Sequence, residues 1–414
     1  MVEINKIYWG DNKKILKEFS ENYFDSIVTD SPYGLKFMNK HWDYDVPTVE
    51  FWKECIRVLK PGGYVLSFGG SRTYHRMACN IEDAGFEIRD QIMWVYGSGF
   101  PKSHNIGKAI DKLQGNEREI INKNPNDRMK RENQMSDFGL CGGIGKSFTS
   151  IGTSEFEGCG TALKPAHEPI VLAMKPLSEK TFAENVLKWG TGGINIDGCR
   201  VEGAKGDGVW GTSNKNVNPE RTFVGSPDAA DYRSEQNSLG RFPANFIYDG
   251  SDEVLSLFPN TKSGKVKSKK SAYNGESLTG FLRGDSNENN QHGDSGSASR
   301  FFYCAKASKT ERNMGCEELE EKRPDIRTEI GMGTFVEKGV AKQHNFHPTV
   351  KPIKLMQYLV RLVTPKNGIV LDPFAGSGST GIACVLEGFN YVLIEKEKEY
   401  CEIAEKRLEL KKTG

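Results

Sequence analysis

Short apolar runs alternate with amphipathic segments over the first hundred residues and again after about residue 350. The apolar runs are rich in β-branched and aromatic residues, as in buried strands, and the amphipathic segments repeat apolar positions every three or four residues, as in helices. This alternation predicts an α/β fold with a parallel sheet and helices on both faces. The predicted strands are 4–9, 26–29, 64–68, 86–96, 167–174, 368–371 and 390–394, and the predicted helices are 12–19, 49–59, 72–84, 106–114, 353–363, 380–387 and 400–410.

The middle of the chain lacks this alternation. Residues 97–160 are rich in glycine, lysine, asparagine and serine, and residues 177–340 are mostly loop-like. A chain of 414 residues suits two or three folding units. We therefore predict that segments 1–176 and 341–414 form the two halves of one α/β domain, with 177–340 as an inserted region.

The composition narrows the class of protein. Lysine and arginine number 56, and aspartate and glutamate 55, so the net charge of +1 decides neither for nor against a nucleic-acid partner. The nine cysteines include no Cys-x-x-Cys pair, which argues against zinc ribbons and redox sites and fits a reducing compartment. The sequence has no signal-peptide core and no run of about 18 apolar residues. We expect a cytosolic protein with no membrane span and no metal.

One segment of the inserted region is strongly basic. Residues 262–271 contain five lysines and no acidic residue. Such a run is either a solvated loop or a loop that contacts phosphates, and the pattern supports the two interpretations equally. The candidate nucleic-acid contacts in this segment are Lys265, Lys267, Lys269 and Lys270.

A glycine-containing turn near the C-terminus indicates a nucleoside site. The strand at 368–371 runs into Gly376 and Gly378, which would let a ligand approach the backbone, and the helix that follows offers unpaired N–H groups. Glu395 ends the next strand, where an acid would accept hydrogen bonds from a ribose diol. The spacing fits neither the dinucleotide fingerprint nor a phosphate loop, which argues against NAD enzymes and NTPases.

A second motif, Asp30-Ser31-Pro32-Tyr33, follows the predicted strand at 26–29. These residue types would suit a site that holds the exocyclic amino group of a nucleobase. Such an amino group is a poor nucleophile, because its lone pair is delocalised into the ring. Asp30 and the carbonyl of Ser31 would accept its two N–H bonds and localise that lone pair. Pro32 biases Ser31 away from helical geometry, and Tyr33 offers a flat face on which a base stacks.

His167 and Glu168 stand side by side at the start of another predicted strand. A metal or acid–base pair is one interpretation of the two side chains. Because the sequence has no other His/Glu cluster at ligand spacing, we interpret them as a strand start near the cleft that holds Asp30.

Together, the two motifs resemble those of the amino-group DNA methyltransferases, which act on adenine N6 or cytosine N4, in the motif order of their β group. Residues 372–380, Asp-Pro-Phe-Ala-Gly-Ser-Gly-Ser-Thr, resemble the family's S-adenosylmethionine motif, with Ser379 as an extra residue before Thr380. Residues 347–352, His-Pro-Thr-Val-Lys-Pro, resemble the segment that packs over the methionine end of the cofactor. The residues that the resemblance assigns to S-adenosylmethionine are Asp11, His347, Thr349, Lys351, Asp372, Pro373, Phe374, Gly376, Gly378 and Glu395.

The resemblance also assigns roles within that set. Asp372 would meet the methionine part, Glu395 would hold the ribose, and Asp11 would lie near the adenine ring. Residues 30–33 would be catalytic; the family usually has proline at the position of Ser31. Aspartate at the first position is usual for adenine N6 enzymes and serine for cytosine N4 enzymes, so Asp30 favours adenine, with cytosine as the alternative.

The resemblance thus implies a Rossmann-like methyltransferase sheet in circularly permuted motif order. Segment 1–176 would be the catalytic half, 341–414 the S-adenosylmethionine half, and 177–340 the target-recognition region that binds double-stranded DNA. The target base would be rotated out of the duplex, in a restriction–modification system or in a stand-alone phage or prophage enzyme. The oligomeric state stays open, with a homodimer as one option. The rival interpretations are an enzyme that methylates an RNA base or a glutamine amide, and a DNA-binding protein without catalysis.

Overall fold

The computed structural model describes residues 3–35, 43–99, 103–122, 149–202, 240–262, 295–306, 311–322, 344–347 and 349–412. Its strands are β1 (Lys6–Trp9), β2 (Phe24–Thr29), β3 (Leu59–Phe68), β4 (Glu87–Val95), β5 (Glu119–Asn122), β6 (Thr149–Ile151), β7 (His167–Met174), β8 (Phe246–Tyr248), β9 (Asn260–Lys262), β10 (Ser295–Ser297), β11 (Tyr303–Cys304), β12 (Ile369–Asp372) and β13 (Asn390–Glu395). Its α-helices are α1 (Asn12–Ile15), α2 (Val49–Val58), α3 (Tyr74–Asp83), α4 (Ile106–Gln114), α5 (Phe182–Trp189), α6 (Asp252–Leu255), α7 (Ile353–Val363), α8 (Ser379–Glu387) and α9 (Lys398–Lys412). Short 3-10 helices cover Leu16–Glu18, Asp197–Cys199 and Ala298–Phe301.

The main sheet joins nine of the described strands in the order β1-β13-β12-β2-β3-β7-β4-β8-β11. The five strands from β1 to β3 in this order are parallel, which confirms the predicted α/β fold. The sheet differs from the predicted parallel one in being mixed, because β7 runs antiparallel to both β3 and β4. The register pairs Val95 at the end of β4 with His167 at the start of β7, so the chain re-enters the sheet at the edge where it left. A parallel strand would need a crossover back to the opposite edge.

The N-terminal and C-terminal segments meet in this sheet. β12 pairs with β2 through Val370 beside Ser26 and Leu371 beside Ile27, and β13 lies between β12 and β1. The carboxyl ends of these parallel strands therefore lie along one edge, where ligands bind in open α/β sheets. Every residue of β2 is buried, so its position is set by packing on both faces.

The helices bury apolar faces against the sheet. In α2, the buried residues Phe51, Trp52, Cys55 and Val58 recur at helical spacing, and the hydroxyl of Thr48 caps the first turn by accepting from the Phe51 N–H. α2 ends directly before β3, which begins at Leu59, five residues earlier than predicted. α7 packs against α8 and β2 and buries most of its residues.

The chain divides into two compact units. The first comprises Met1–Asn195, Asn245–Val254 and Cys304–Gly414 and includes the shared edge of β1, β13, β12 and β2. The second comprises Ile196–Ala244 and Leu255–Tyr303, and its described part includes the antiparallel pair of β9 and β10. The four candidate lysines of segment 262–271 come between β9 and β10 in the sequence and lie outside the described residues.

Neither a membrane-spanning helix nor a cluster of metal-binding side chains is present in the described ranges. No helix there is long and apolar enough to cross a membrane. In the same part of the chain, no three His, Cys, Asp or Glu side chains come together as a group that could hold a metal ion.

Candidate active site

A buried hydrogen bond joins the ends of β2 and β12, the two strands that lead into the motifs at 30–33 and 372–380. Thr29 ends β2 and donates its hydroxyl hydrogen to Oδ1 of Asp372, which ends β12, at 2.6 Å. Asp372 also accepts from the backbone N–H of Phe374 and from the hydroxyl of Thr380. Burial raises the pKa of Asp372 to about 6 despite these three donors. The carboxylate thus ties both strand ends to the glycine turn and to α8.

The loop of residues 30–33 is anchored at Ser31, where the motif that it resembles has proline. Ser31 is buried, and its hydroxyl lies 2.8 Å from that of Ser67 and 3.1 Å from the carbonyl oxygen of Phe68. These contacts with β3 hold the residue without the ring of a proline. The serine therefore keeps the loop in place by hydrogen bonding rather than by backbone restriction.

Asp43 fixes the next part of the loop. Its carboxylate is 2% exposed and accepts from three consecutive backbone N–H groups, at 2.7 Å from Tyr33, 3.0 Å from Gly34 and 3.2 Å from Leu35. Hydrogen bonds from N–H groups to a carboxylate are among the stronger ones in proteins. Asp43 therefore holds the backbone of residues 33–35 in place, a role that the sequence motif did not indicate.

Four side chains form a partly buried group that we call the carboxylate–lysine cluster: Asp30, Tyr33, Glu168 and Lys351. Lys351 Nζ lies 2.7 Å from Oδ2 of Asp30 and 3.2 Å from Oε2 of Glu168. The Tyr33 hydroxyl lies 2.9 Å from Oδ1 of Asp30 and 2.8 Å from Oε2 of Glu168. Lys351 belongs to the segment that the resemblance assigns to the cofactor, yet its ammonium group contacts the carboxylate of Asp30 in the other motif.

The charges of the cluster stabilise one another. Burial alone would lower the pKa of Lys351, but the carboxylates of Asp30 and Glu168 outweigh it, so this pKa lies above its ordinary value. Burial and then the same two carboxylates raise the pKa of Tyr33 well above its ordinary value. The lysine is therefore charged and the phenol neutral at physiological pH.

The glycine turn has a left-handed backbone. Gly376 has φ of 52° and Gly378 has φ of 78°, conformations that L side chains rarely adopt. A Cβ atom on Gly376 would lie 2.8 Å from Nε2 of His347, and one on Gly378 would lie 2.9 Å from Cβ of Ala404. Backbone geometry and neighbouring protein atoms thus already require glycine at both positions.

His347 is a buried, neutral side chain over this turn. Its Nδ1 lies 2.9 Å from the carbonyl oxygen of Thr349, and its ring meets the ring of Tyr400 edge-on at 4.5 Å. Burial lowers the pKa of His347 to about 3. Since a carbonyl oxygen only accepts, the hydrogen must be on Nδ1, and Nε2 presents a lone pair beside Gly376.

Glu395 closes the opposite side of the turn. Its Oε2 accepts from the N–H of Gly376 at 2.8 Å, and its Oε1 accepts from the N–H of Glu397 at 2.8 Å. A carboxylate has about four lone-pair sites, so both oxygens keep acceptor capacity. Burial raises the pKa of Glu395 to about 7. A buried acid with spare acceptors is suited to the two hydroxyl groups of a ribose.

The remaining predicted residues lie around the same edge. Asp11 is exposed at the end of β1 and caps α1 by accepting from the Lys14 N–H, while the adjacent Gly10 N–H donates to the carbonyl oxygen of Glu395. The Pro373 carbonyl accepts from Asn12, and the Phe374 ring packs on a core phenylalanine. Pro32 is half-buried within the loop.

Four residues that contact these loops were not assigned to the site by the sequence motifs. Thr29, Asp43 and Glu168 are described above, and Arg407 on α9 is a buried guanidinium that donates to the carbonyl oxygen and hydroxyl of Ser377 in the glycine turn. Of these, only Glu168 could have been suspected from the sequence, because it is a charged residue near the start of an otherwise apolar, buried strand.

A model of the N6/N4 methyltransferase family, described as DNA methylase, matches residues 24–406. Type II methyltransferase M2.MboI of Moraxella bovis is 46% identical over 66 residues, which are 16% of this chain and 24% of that protein. Type II methyltransferase M2.DpnII of Streptococcus pneumoniae is 40% identical over 81 residues, 20% of this chain and 30% of that protein. The chain thus spans less than a third of the length of these two curated relatives.

Among solved structures, the PvuII DNA methyltransferase (cytosine-N4-specific) is similar at a TM-score of 0.42 and 14% identity, over 98% of this chain and 87% of that one. Because the family model covers most of the sequence, the chain belongs to the DNA methylase family of N6/N4 methyltransferases. The predicted family is therefore confirmed.

Proposed function

We propose that this protein is a site-specific DNA methyltransferase that methylates the exocyclic amino group of a flipped base, adenine N6 in preference to cytosine N4. The observation that carries the proposal is the adjacency of the two loops, joined by the bond from Thr29 to Asp372 at 2.6 Å. This adjacency supports a methyl donor and an extruded base side by side at the shared edge of β12 and β2.

The cofactor proposed for the glycine turn is S-adenosylmethionine, and the residues present fit it. Glu395 would accept from the ribose hydroxyls, Asp11 would lie near the adenine ring, and residues 372–378 with His347 would surround the rest. When bound, this group supplies a methyl carbon activated by a sulfonium. No covalent enzyme intermediate is required, so positioning and electrostatics would carry the catalysis.

Asp30 is proposed to receive the target amino group. Its carboxylate and the carbonyl of Ser31 would accept the two N–H bonds, which localises the nitrogen lone pair. Once methylated, the nitrogen would have to lose one proton, for which Asp30 is the proposed acceptor. An aspartate at this position supports adenine over cytosine by its similarity to the family motif.

Double-stranded DNA is the proposed partner. Within the predicted range 177–340, the second compact unit is proposed to recognise the target, and the lysines of segment 262–271 are proposed to contact phosphates. A variant in which alanine replaces Lys265, Lys267, Lys269 and Lys270 should bind DNA more weakly. The slope of the logarithm of its binding constant against the logarithm of the salt concentration should be shallower by up to about four. In the matched control, alanine replaces the four lysines of α9, Lys398, Lys406, Lys411 and Lys412, and the slope should be unchanged.

Transfer of a radiolabelled methyl group to DNA tests the proposed activity. The wild type should label DNA, Asp30→Ala should not, and the exposed-residue control Asp83→Ala should match the wild type. Sequencing that resolves modified bases then identifies the base and its context. Labelled N4-methylcytosine would overturn the preference for adenine, and DNA binding without labelling by the wild type would favour a DNA-binding protein without catalysis.

A further inference from the structure

Both oxygens of Asp30 already have hydrogen-bond donors in this structure. Lys351 Nζ donates to Oδ2 at 2.7 Å, and the Tyr33 hydroxyl donates to Oδ1 at 2.9 Å. Each oxygen keeps acceptor capacity, so a target amino group can still donate to Asp30, but it shares the carboxylate with these two donors. Sharing the negative charge with an ammonium and a phenol would weaken the hydrogen bond on which activation of the amine depends.

Glu168 offers the same two donors a second acceptor. Its Oε2 lies 2.8 Å from the Tyr33 oxygen and 3.2 Å from Lys351 Nζ. The Tyr33 hydroxyl has one hydrogen, so it donates to either Asp30 or Glu168 at any moment but not to both. The cluster therefore has two arrangements of hydrogen bonds that differ little in heavy-atom positions.

Burial makes a second acceptor necessary. The Lys351 side chain is 8% exposed, and its ammonium lies 4.9 Å from the centre of the Phe68 ring. A buried ammonium that loses its carboxylate partner is strongly destabilised. If Asp30 were the sole partner, binding of the amino group would leave Lys351 without full compensation. Glu168, at 20% side-chain exposure, keeps the lysine paired.

We propose that Glu168 is a positioning residue that takes the Tyr33 hydrogen bond and the Lys351 ammonium when the target amino group donates to Asp30. The inference rests on the proposed function and adds a residue from β7, far in sequence from both motifs. The antiparallel insertion of β7 between β3 and β4 brings Glu168 to the cluster, opposite Trp94 in the sheet register.

The variant Glu168→Gln keeps the size of the side chain and removes its charge. We expect the affinity for S-adenosylmethionine to change less than about twofold. The single-turnover rate of methyl transfer should fall about 10- to 100-fold, because an interaction made in the transition state is lost. The control Glu179→Gln removes a glutamate–lysine pair with Lys188 and should not change the rate.

A double-mutant cycle separates positioning from a general structural role. In a Lys351→Met, Tyr33→Phe background, Glu168→Gln should lower the residual rate less than about twofold, because the groups through which Glu168 acts are gone. An undiminished effect in that background would overturn the inference, as would a wild-type rate in the single variant. Absence of transfer by the wild type would instead refute the proposed function.

A wild-type structure gives an independent test, even if Glu168→Gln does not fold. In a complex with S-adenosylhomocysteine and a duplex that contains the mapped target, Tyr33 and Lys351 should contact Glu168 while the target amino group contacts Asp30. If both donors remain on Asp30 with the amino group bound, the inference is wrong.

Discussion

We predict that Glu395 makes the binding of S-adenosylmethionine depend on pH. Burial raises the pKa of this carboxyl from its ordinary 4.5 to about 7, a difference of about 3 kcal/mol between the two protonation states. Because the folded-state pKa is raised, the contribution of this group to stability is full below about pH 4.5 and is lost as the pH rises to about 7.

Ribose hydroxyls would donate to the ionised form, so binding should favour loss of the proton. With a pKa of about 7 in the free protein, the apparent Kd for S-adenosylmethionine should rise about tenfold between about pH 8 and pH 6. Binding should release about three quarters of a proton near pH 6.5 and about a tenth near pH 8. Calorimetry in buffers of different ionisation enthalpy measures both quantities.

The variant Glu395→Gln isolates this effect. It should bind the cofactor more weakly at every pH and lose the proton release near pH 6.5. Asp372, with a pKa of about 6, is the other buried acid at this edge, and any release that remains in the variant should shift toward that lower pH. A wild-type Kd that is flat from pH 6 to 8, or an unchanged pH profile in Glu395→Gln, would refute the proposed role of this carboxylate.

Three other predictions concern the loops at this edge. Gly376→Ala should lower stability by more than Gly388→Ala in urea unfolding, because both adopt positive φ but a Cβ meets a neighbouring atom at 2.8 Å only at the first and nothing within 4 Å at the second; equal losses would contradict this. Thr29→Val should lower the free energy of unfolding by about 1–3 kcal/mol, since the buried carboxylate of Asp372 loses a donor, and a neutral result would show that the bond is not formed. Asp43→Ala should reduce the rate of methyl transfer at least about tenfold while the cofactor Kd stays within about twofold, because three loop N–H groups lose their acceptor; a larger effect on Kd than on rate would assign the residue elsewhere.

Local sequence determined most of the elements. Strand 167–174 and helices 106–114 and 353–363 were predicted at their observed bounds, because apolar periodicity and end signals are local. Helix α4, for example, begins after the capping Asn105 and ends at Gly115, which has φ of 73°. The two motifs could be recognised for the same reason, because each is a continuous stretch of chain that follows a buried strand.

Element boundaries that depend on pairing were less predictable. β3 begins at Leu59 rather than at residue 64, because Leu59 pairs with Phe24 of β2 and the strand continues through a proline and two glycines. Those residues usually end strands, so local sequence argued for a loop. The neighbouring strand, far away in sequence, decided otherwise.

The composition of the active site was decided by tertiary structure. The bond between Thr29 and Asp372 joins residues 343 positions apart, and that between Lys351 and Asp30 joins residues 321 apart. Glu168 reaches the same cluster because β7 enters the sheet against the direction of its neighbours. A sequence pattern records what each segment buries, but the partner of a buried charge depends on the path of the whole chain. The sequence by itself therefore determined most of the strands and helices and the two motifs, and only the folded sheet decided which carboxylates share the lysine.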